Sequence, residues 1–506
     1  MKKLLYLATL ASSMFLTTSC VDLTQEPESF ITQEDYMNGL DEASLQKLAG
    51  SLYSDLWSDN YGINCRMQSF NLAADDVMYR TAKANNRLEY LWKLSPDIMQ
   101  NDADVKTMWN LLFKAVNDAN AIINKTSIPE DEKVAAKFRA VIGEAYFVRG
   151  FSYLYLARLF GDLPLILSSE DASNRMPRTA VADIFDKAII PSLQKAAEWL
   201  PAKSRTNSPA APTKWTAKLC LADAYMSMAG WPLKRQECYA LAAAATKDII
   251  DNSGLKLTAK YADLWKEANK TQTNEVMFAL LHSVADKNAS QYGKSYYPVD
   301  FSPNAGWADY YGNEQFYLNY PNDDRKAWNY MTSWPVKTGQ KDADGKDIIK
   351  TINYKESADK LPAISKYYNY DDGAPGKSQL SNGMTCFYRY AEVLLTYAEA
   401  STRATNNVNA QALASIQEVQ KRAGYADASL TKTTDATAFL QAVSNERGWE
   451  FFAEMKRLFE LVRLEKFKDV KPAQWEQSLF KTQNHYYQPI PYLQIPLTGW
   501  TNNTGY

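Results

Sequence analysis

Between Glu132 and Phe160 the sequence carries apolar residues on two faces at once. Ile142, Tyr146, Tyr153, Leu156 and Phe160 line one face; Phe147, Phe151 and Leu154 line another. Apolar positions recurring every three or four residues mark a helix, and a helix apolar on most sides has to be enclosed by others. Gly143 and Gly150 lie inside this segment. A glycine in a helix interior costs about 1 kcal/mol relative to alanine, so both positions predict a neighbour pressed close to the backbone. The helix is expected to stop at Gly161-Asp162, before a short extended segment from Leu163 to Leu167 that carries Pro164.

The helices needed to enclose it can be read on either side. Lys106–Lys125 places Trp109, Leu112, Phe113, Val116 and Ala119 on one stripe. Ala180–Leu200 is amphipathic, with Pro191 expected to kink or break it. Thr213 is placed to cap a helix over Lys214–Ala229, which Gly230 ends, and Gln236–Asp251 follows after a short turn. This pair is close to the repeat of about 34 residues in tetratricopeptide units. A second pair, Arg389–Thr402 and Ala410–Ala423 with Asn409 as cap, precedes a last long helix expected over Thr437–Leu464. The fold expected is mainly α: a tetratricopeptide-like helical-repeat scaffold that builds its core by contacts between neighbours.

Over residues 255–385 the periodicity fails. Asp344-Gly345, Asp372-Gly373, Pro375-Gly376 and Asn382-Gly383 mark turns, and aromatic residues crowd the stretch from Tyr292 to Trp334. This is read as a large irregular, loop-rich insertion carrying short strands. Asp342–Asp347 departs from a calcium loop and reads instead as the turn of a hairpin between Trp334–Thr338 and Ile348–Tyr354. Long loops on a rigid scaffold are where binding usually resides.

The N-terminus sets the compartment. Lys2 and Lys3 precede an apolar stretch, Leu4–Leu16, that is too short to span a bilayer. Thr17, Thr18 and Ser19 then lead into Cys20, and small residues before a cysteine resemble a bacterial lipoprotein cleavage box. Residues 1–19 are read as a signal peptide and 20–38 as a lipidated tether. The body is 39–506, with acylated Cys20 expected to hold it to a membrane. Two or three acyl chains anchor stably where one does not.

Composition removes several functions. A net charge of −2 lacks the basic footprint of a nucleic-acid binder. The chain has 32 Tyr and 13 Trp against 2 His, which suits stacking surfaces better than imidazole chemistry. No Gly-x-Ser-x-Gly elbow, Cys-x-x-Cys pair or glycine-rich phosphate loop occurs. Cys220 and Cys386 sit in apolar surroundings and read as buried thiols. Glu446, Glu450 and Glu454 share a helix face, and paired carboxylates can hydrolyse glycosides. Arg447, Lys456 and Arg457 are near enough to make ion pairing the commoner explanation. No catalytic residue, metal or cofactor is expected.

Four segments then stand together. KFRAVIGEAYFVRGFSYLYLARLFGDLPLIL (Lys137–Leu167), TKWTAKLCLADAYMSMAG (Thr213–Gly230), YRYAEVLLTYAEA (Tyr388–Ala400) and ERGWEFFAEMKRLFELVRL (Glu446–Leu464) follow in order, with Pro489–Pro491 and a terminal Gly505-Tyr506. The ordered set resembles the SusD/RagB family of outer-membrane nutrient-binding lipoproteins. Here Glu460 replaces the family's usual Asp, and Met455-Lys456 its usual Gly-His. The resemblance implies a non-enzymatic surface receptor that binds an oligosaccharide and passes it to a SusC-like TonB-dependent transporter. Peptide binding on the same scaffold is the alternative, and a surface glycoside hydrolase a more distant one.

Sugar rings present flat C–H faces that stack on indole and phenol rings. The segment SPNAGWADYYGNEQF offers Trp307, Tyr310 and Tyr311, with Trp307 the first choice because the family often places a platform there; for each tyrosine, packing in the loop's own core is an equal reading. NLAADDVMYR lies at a position the resemblance puts near the ligand face; it adds Asp76 and Tyr79, and Trp92 follows. For Asp76, Tyr79 and Trp92 a core or surface-loop role is the stronger reading. Asp323-Asp324-Arg325 reads as an ion-paired turn.

Overall fold

Side chains that cap helices set most of the boundaries in the computed structural model. It describes residues 39–56, 62–82, 86–93, 99–168, 176–286, 288–290, 292–302, 305–368, 380–478, 480–481 and 485–506. The signal peptide, Cys20, the tether and the turns at Asp372-Gly373 and Pro375-Gly376 lie outside the described residues.

The main helices are α1 (Glu42–Asp55), α2 (Ala103–Lys125), α3 (Glu132–Phe160), α4 (Ile190–Trp199), α5 (Lys214–Ala229), α6 (Cys238–Asn252), α7 (Tyr390–Thr405), α8 (Ala410–Arg422), α9 (Ala436–Glu450) and α10 (Arg457–Arg463). Asp41, Asp102, Asp131, Asn409 and Asp435 each accept a backbone N–H at a helix start. Thr213 and Thr216 form a reciprocal capping box on α5. Each such cap contributes about 1 kcal/mol.

Packing runs as a ladder of neighbours: α2 on α3, α3 on α4, α4 on α5, α5 on α6, α6 on α7 and α7 on α8. This is the mainly helical, tetratricopeptide-like stack that the sequence predicts. α3 is its centre, buried along most of its length from Val141 to Phe160. Its glycines are there for the expected reason. A Cβ on Gly143 would meet the Trp199 Cβ at 3.2 Å, and one on Gly150 would meet the Leu193 Cγ at 2.7 Å. Among the described residues no helix is long and apolar enough to cross a membrane.

The step from α6 to α7 is the informative one, because the irregular insertion is looped out between two helices that pack directly. Its two ends are tied together by β2 (Val276–Leu281) and β6 (Met384–Arg389), which pair antiparallel with Leu281 opposite Met384. Within it, β3 (Tyr310–Gly312) pairs with the more N-terminal β1 (Val77–Tyr79). The hairpin expected from the Asp342–Asp347 turn forms between β4 (Ser333–Lys341) and β5 (Asp347–Asn353).

One helix expectation is narrowed and one needs correction. Of the kink or break expected at Pro191 in the span Ala180–Leu200, the break does not occur. The span opens as Val181–Ile184, widens to a π-helical turn over Phe185–Ile189, and resumes in α4, where Pro191 occupies the first turn and no N–H donor is needed. The last helix is not continuous over Thr437–Leu464. It breaks at Phe451–Lys456, where Ala453 and Met455 take positive φ values of 57° and 59°. Side chains distant in sequence take over the freed backbone groups: Ala453 N–H donates to Asp76, Ala453 C=O accepts from Tyr367, and Phe452 C=O accepts from Lys366. Tertiary hydrogen bonds have displaced helical ones.

Candidate functional site

The insertion holds its own small apolar core, formed by Tyr297, Phe301, Tyr311, Trp334, Val336 and Ile352 among others. Trp334 is enclosed and donates its indole N–H to Asp300 at 2.8 Å. Against this core runs the loop of residues 305–309. A Cβ on Gly306 would lie 2.0 Å from the Tyr297 carbonyl oxygen, so the backbone there is pressed flat against Tyr297 and tolerates only glycine. Ala308 is fully buried with a φ of 54°. With both neighbours turned inward, the residue between them is turned out. Trp307 is 43% exposed. The Lys294 ammonium lies 5.3 Å from its ring centroid, and the Trp307 backbone N–H donates to the Lys294 carbonyl. An indole held at the surface by its backbone is a preformed stacking platform.

The rings two residues further on behave differently. Tyr310 is 4% exposed and shares a 2.7 Å hydrogen bond with Ser69; Tyr311 is 1% exposed and donates to Asp359 at 3.1 Å. Both are fixed in the β1–β3 pair, where Tyr79 faces Tyr310 and Met78 faces Tyr311. They support the site from behind and offer a ligand no open face, which corrects the expectation that they contact it.

Asp76 is likewise interior at 1% exposed, accepting from Asn71 at 3.0 Å and from the Ala453 N–H at 3.1 Å. Burial, reinforced by neighbouring Asp75, pushes its carboxyl up to about 6. Tyr79 is buried with its ring 5.7 Å from that of Trp92. Trp92 is half-buried, with the Lys471 ammonium 5.1 Å from its ring. Asp76 and Tyr79 are therefore corrected from ligand contacts to packing residues, as the core reading had it.

The three glutamates of the enzyme reading are enclosed. Glu446 and Glu450 pair with Arg325 at 2.5 and 2.9 Å, and Glu454 pairs with Lys366 at 2.6 Å and Arg389 at 2.8 Å. Arg389 and Arg422 both reach Glu450, and each also reaches Glu275 at 3.1 Å. Burial works to raise the Glu450 carboxyl, yet Arg422, Arg389 and Arg325 together hold it well below the usual carboxylate range. Burial pushes Lys366 down to about 8. Ion pairing was the right explanation, but its partners differ from the nearby cations expected. Arg457 pairs with Asp75 and Lys456 with Glu392. Asp323 caps the turn at Arg325 and pairs with it at 2.7 Å, as read.

Sequence reasoning missed Lys294, and it missed the inward turn of Gly306 and Ala308 that singles out Trp307. No periodicity marks either. Cys220 and Cys386 are buried free thiols, as is Cys238.

Comparison with known proteins agrees with this architecture. Residues 256–506 match the model of the SusD family, and residues 30–226 match a family model described as "Starch-binding associating with outer membrane". The chain is 25% identical over 532 aligned residues to SusD-like protein P2 of Formosa agariphila, covering 100% of both. It superposes on a SusD homolog from Bacteroides thetaiotaomicron with a TM-score of 0.78 at 19% identity, covering 94% of this chain and 98% of that one. A protein solved with xylogluco-oligosaccharide gives a TM-score of 0.67 at 22% identity, covering 85% of each chain.

Proposed function

This chain belongs to the SusD/RagB family, and on that premise we propose that it is a cell-surface glycan-binding lipoprotein that captures oligosaccharide and delivers it to a SusC-like TonB-dependent transporter. Acylated Cys20 would hold it to the outer membrane. The description of the second family model, and the relative solved with xylogluco-oligosaccharide, support a saccharide as the ligand.

The observation that carries the reading is Trp307, exposed on a loop whose other rings are enclosed. Binding requires no bond-making: one indole face stacks on a sugar, nearby polar groups select among hydroxyls, and release follows when the transporter competes for the ligand. The carboxylates of α9 are enclosed in ion pairs and present no open face to a substrate, which supports binding over hydrolysis. Trp92, half-buried against Tyr79, is a candidate secondary contact.

The test is calorimetric titration of the wild type and Trp307→Ala with xyloglucan and malto-oligosaccharides. Loss of a central aromatic contact of this kind weakens binding by about 2 kcal/mol, roughly thirtyfold. Unchanged affinity removes Trp307 from the site, and new reducing ends from intact polysaccharide would reinstate the hydrolase.

A further inference from the structure

A cavity of about 480 Å³ lies far along the chain from the insertion, between the outer face of α2 and the C-terminal turn. Its lining comes from residues 109–118, from Pro164, Ile166 and Met176, and from residues 494–500, and none of it from residues 255–385. The volume is within the range of small-molecule sites, about 300–1,000 Å³.

The walls are of two kinds. Trp500 is the half-buried ring of the lining, and the buried rings of Trp109 and Phe113 back it from the core. Trp109 packs edge-on against Phe160 at 5.1 Å and against Trp500 at 6.3 Å, and the Trp500 indole N–H donates to the Met176 carbonyl at 2.9 Å. The rings are thus fixed before any ligand arrives. Beside them are Asn110 and Asn117, on the same helix as Trp109 and Phe113, and Gln494 on the C-terminal segment, whose side-chain amides make no hydrogen bond to another described residue. Asn110 and Asn117 are exposed on α2, seven residues apart and so on one face of the helix. Each amide offers a donor and an acceptor, the pairing that adjacent sugar hydroxyls require.

Charge separates the ligand classes. The charged side chains on the lining are Lys114 and Asp118, which pair with each other at 2.6 Å; Lys114 also reaches Asp55 at 2.5 Å. Nothing remains to hold an anionic sugar or a peptide carboxylate. A fixed indole beside amides, with the one lysine of the lining held between two carboxylates, matches a neutral saccharide.

We propose that this cleft is a second saccharide-binding site, for a neutral oligosaccharide, formed by the helical scaffold and the C-terminal segment and independent of Trp307. Two separated sites on one receptor would hold a long polysaccharide by effective concentration, even where each alone is weak.

The experiment uses the full chain labelled with 5-fluorotryptophan, the Trp500 and Trp307 resonances being assigned by Trp→Phe variants. Maltoheptaose, cellohexaose and a xyloglucan oligosaccharide are titrated separately. We expect at least one to shift the Trp500 resonance saturably. In the paired variant Asn110→Ala, Asn117→Ala the affinity read at Trp500 should fall roughly tenfold, from two lost hydrogen bonds, while the Trp307 response is unchanged. Alanine at exposed helix positions favours folding, so the variant remains testable. A Trp500 resonance indifferent to all three sugars at millimolar concentration, or equally responsive in the paired variant, overturns the proposal and leaves the cleft to a protein partner. Trp307 reports on its own site in the same spectra: a silent Trp307 beside a responding Trp500 sinks the earlier reading and upholds this one.

Discussion

The base and the rim of the insertion use the same residue types for opposite ends. At the base, Arg325, Arg389, Arg422 and Lys366 are sealed with Glu275, Glu446, Glu450 and Glu454, and join the insertion to α7, α8 and α9. At the rim, Lys294 lies over Trp307 with solvent on one side. A cation beside an aromatic ring means fixed architecture in one place and an available surface in the other. Enclosure by distant parts of the chain makes the difference: Arg389 also has its guanidinium 4.5 Å from the Phe451 ring, but nothing can reach it.

If the base is architecture, breaking it should cost far more than anything done at the rim. Glu450→Ala leaves Arg389 and Arg422 buried without their shared partner, and removing one member of a buried pair costs about 3–5 kcal/mol. Urea denaturation should show a loss of that size, with binding lost only as the protein unfolds. A loss below about 1 kcal/mol would mean that the cage is open to water and the contrast is false.

Asp76 provides a second, pH-dependent test. Its folded pKa of about 6 lies above the ordinary aspartate value of 3.8, so the native state binds more protons in between. Stability from this group is complete below about pH 3.8 and is lost as pH rises through 6, a change of about 3 kcal/mol. Asp76→Asn removes the titration while keeping an acceptor for the Ala453 N–H. The stability difference between wild type and variant should therefore move against the wild type from pH 4 to pH 7. A pH-independent difference would show Asp76 to be hydrated. Lys471, pushed down to about 7 by burial, titrates mainly above this window and adds a rise in stability toward alkaline pH.

These groups also show what can be read from the sequence and what cannot. α3, α5 and α8 were legible because periodicity, glycine spacing and caps are local properties. The break at Phe451–Lys456 was not, because the groups that replace its helical hydrogen bonds, Asp76, Lys366 and Tyr367, are remote in sequence. For the same reason the carboxylates of α9 could be recognised as ion-paired but not matched to their cations. Trp307, Tyr310 and Tyr311 were indistinguishable as a string of rings. What separates them is the contact of Gly306 with Tyr297 and the strand pairing of Tyr310 and Tyr311, both of which need the folded chain.

Gly306 gives a smaller effect that bears directly on the rim. A Cβ there cannot coexist with the Tyr297 carbonyl, so Gly306→Ala must shift the loop, at a cost of about 1–3 kcal/mol in local strain. Trp307 then leaves its outward position. Affinity for oligosaccharide should fall nearly as far as in Trp307→Ala, while the protein still unfolds in a single transition. Wild-type affinity in Gly306→Ala would show that the loop has slack and that its backbone does not orient the indole.

The smallest effect is expected from Trp307 itself, measured as stability rather than binding. Trp307 is 43% exposed, and its cation–π contact with Lys294 is worth about 0.5–1 kcal/mol at exposed sites. Truncation also removes the entropy cost of fixing the indole, which offsets part of that loss. The unfolding free energy of Trp307→Ala should therefore lie within about 0.5 kcal/mol of wild type, the usual range for surface substitutions. This null result on stability is what gives the binding loss its meaning, because a platform kept for a ligand contributes little to the fold that carries it. A destabilisation of about 2 kcal/mol or more would place Trp307 with Trp334 as a packing residue, and the rim would then differ from the base in degree only.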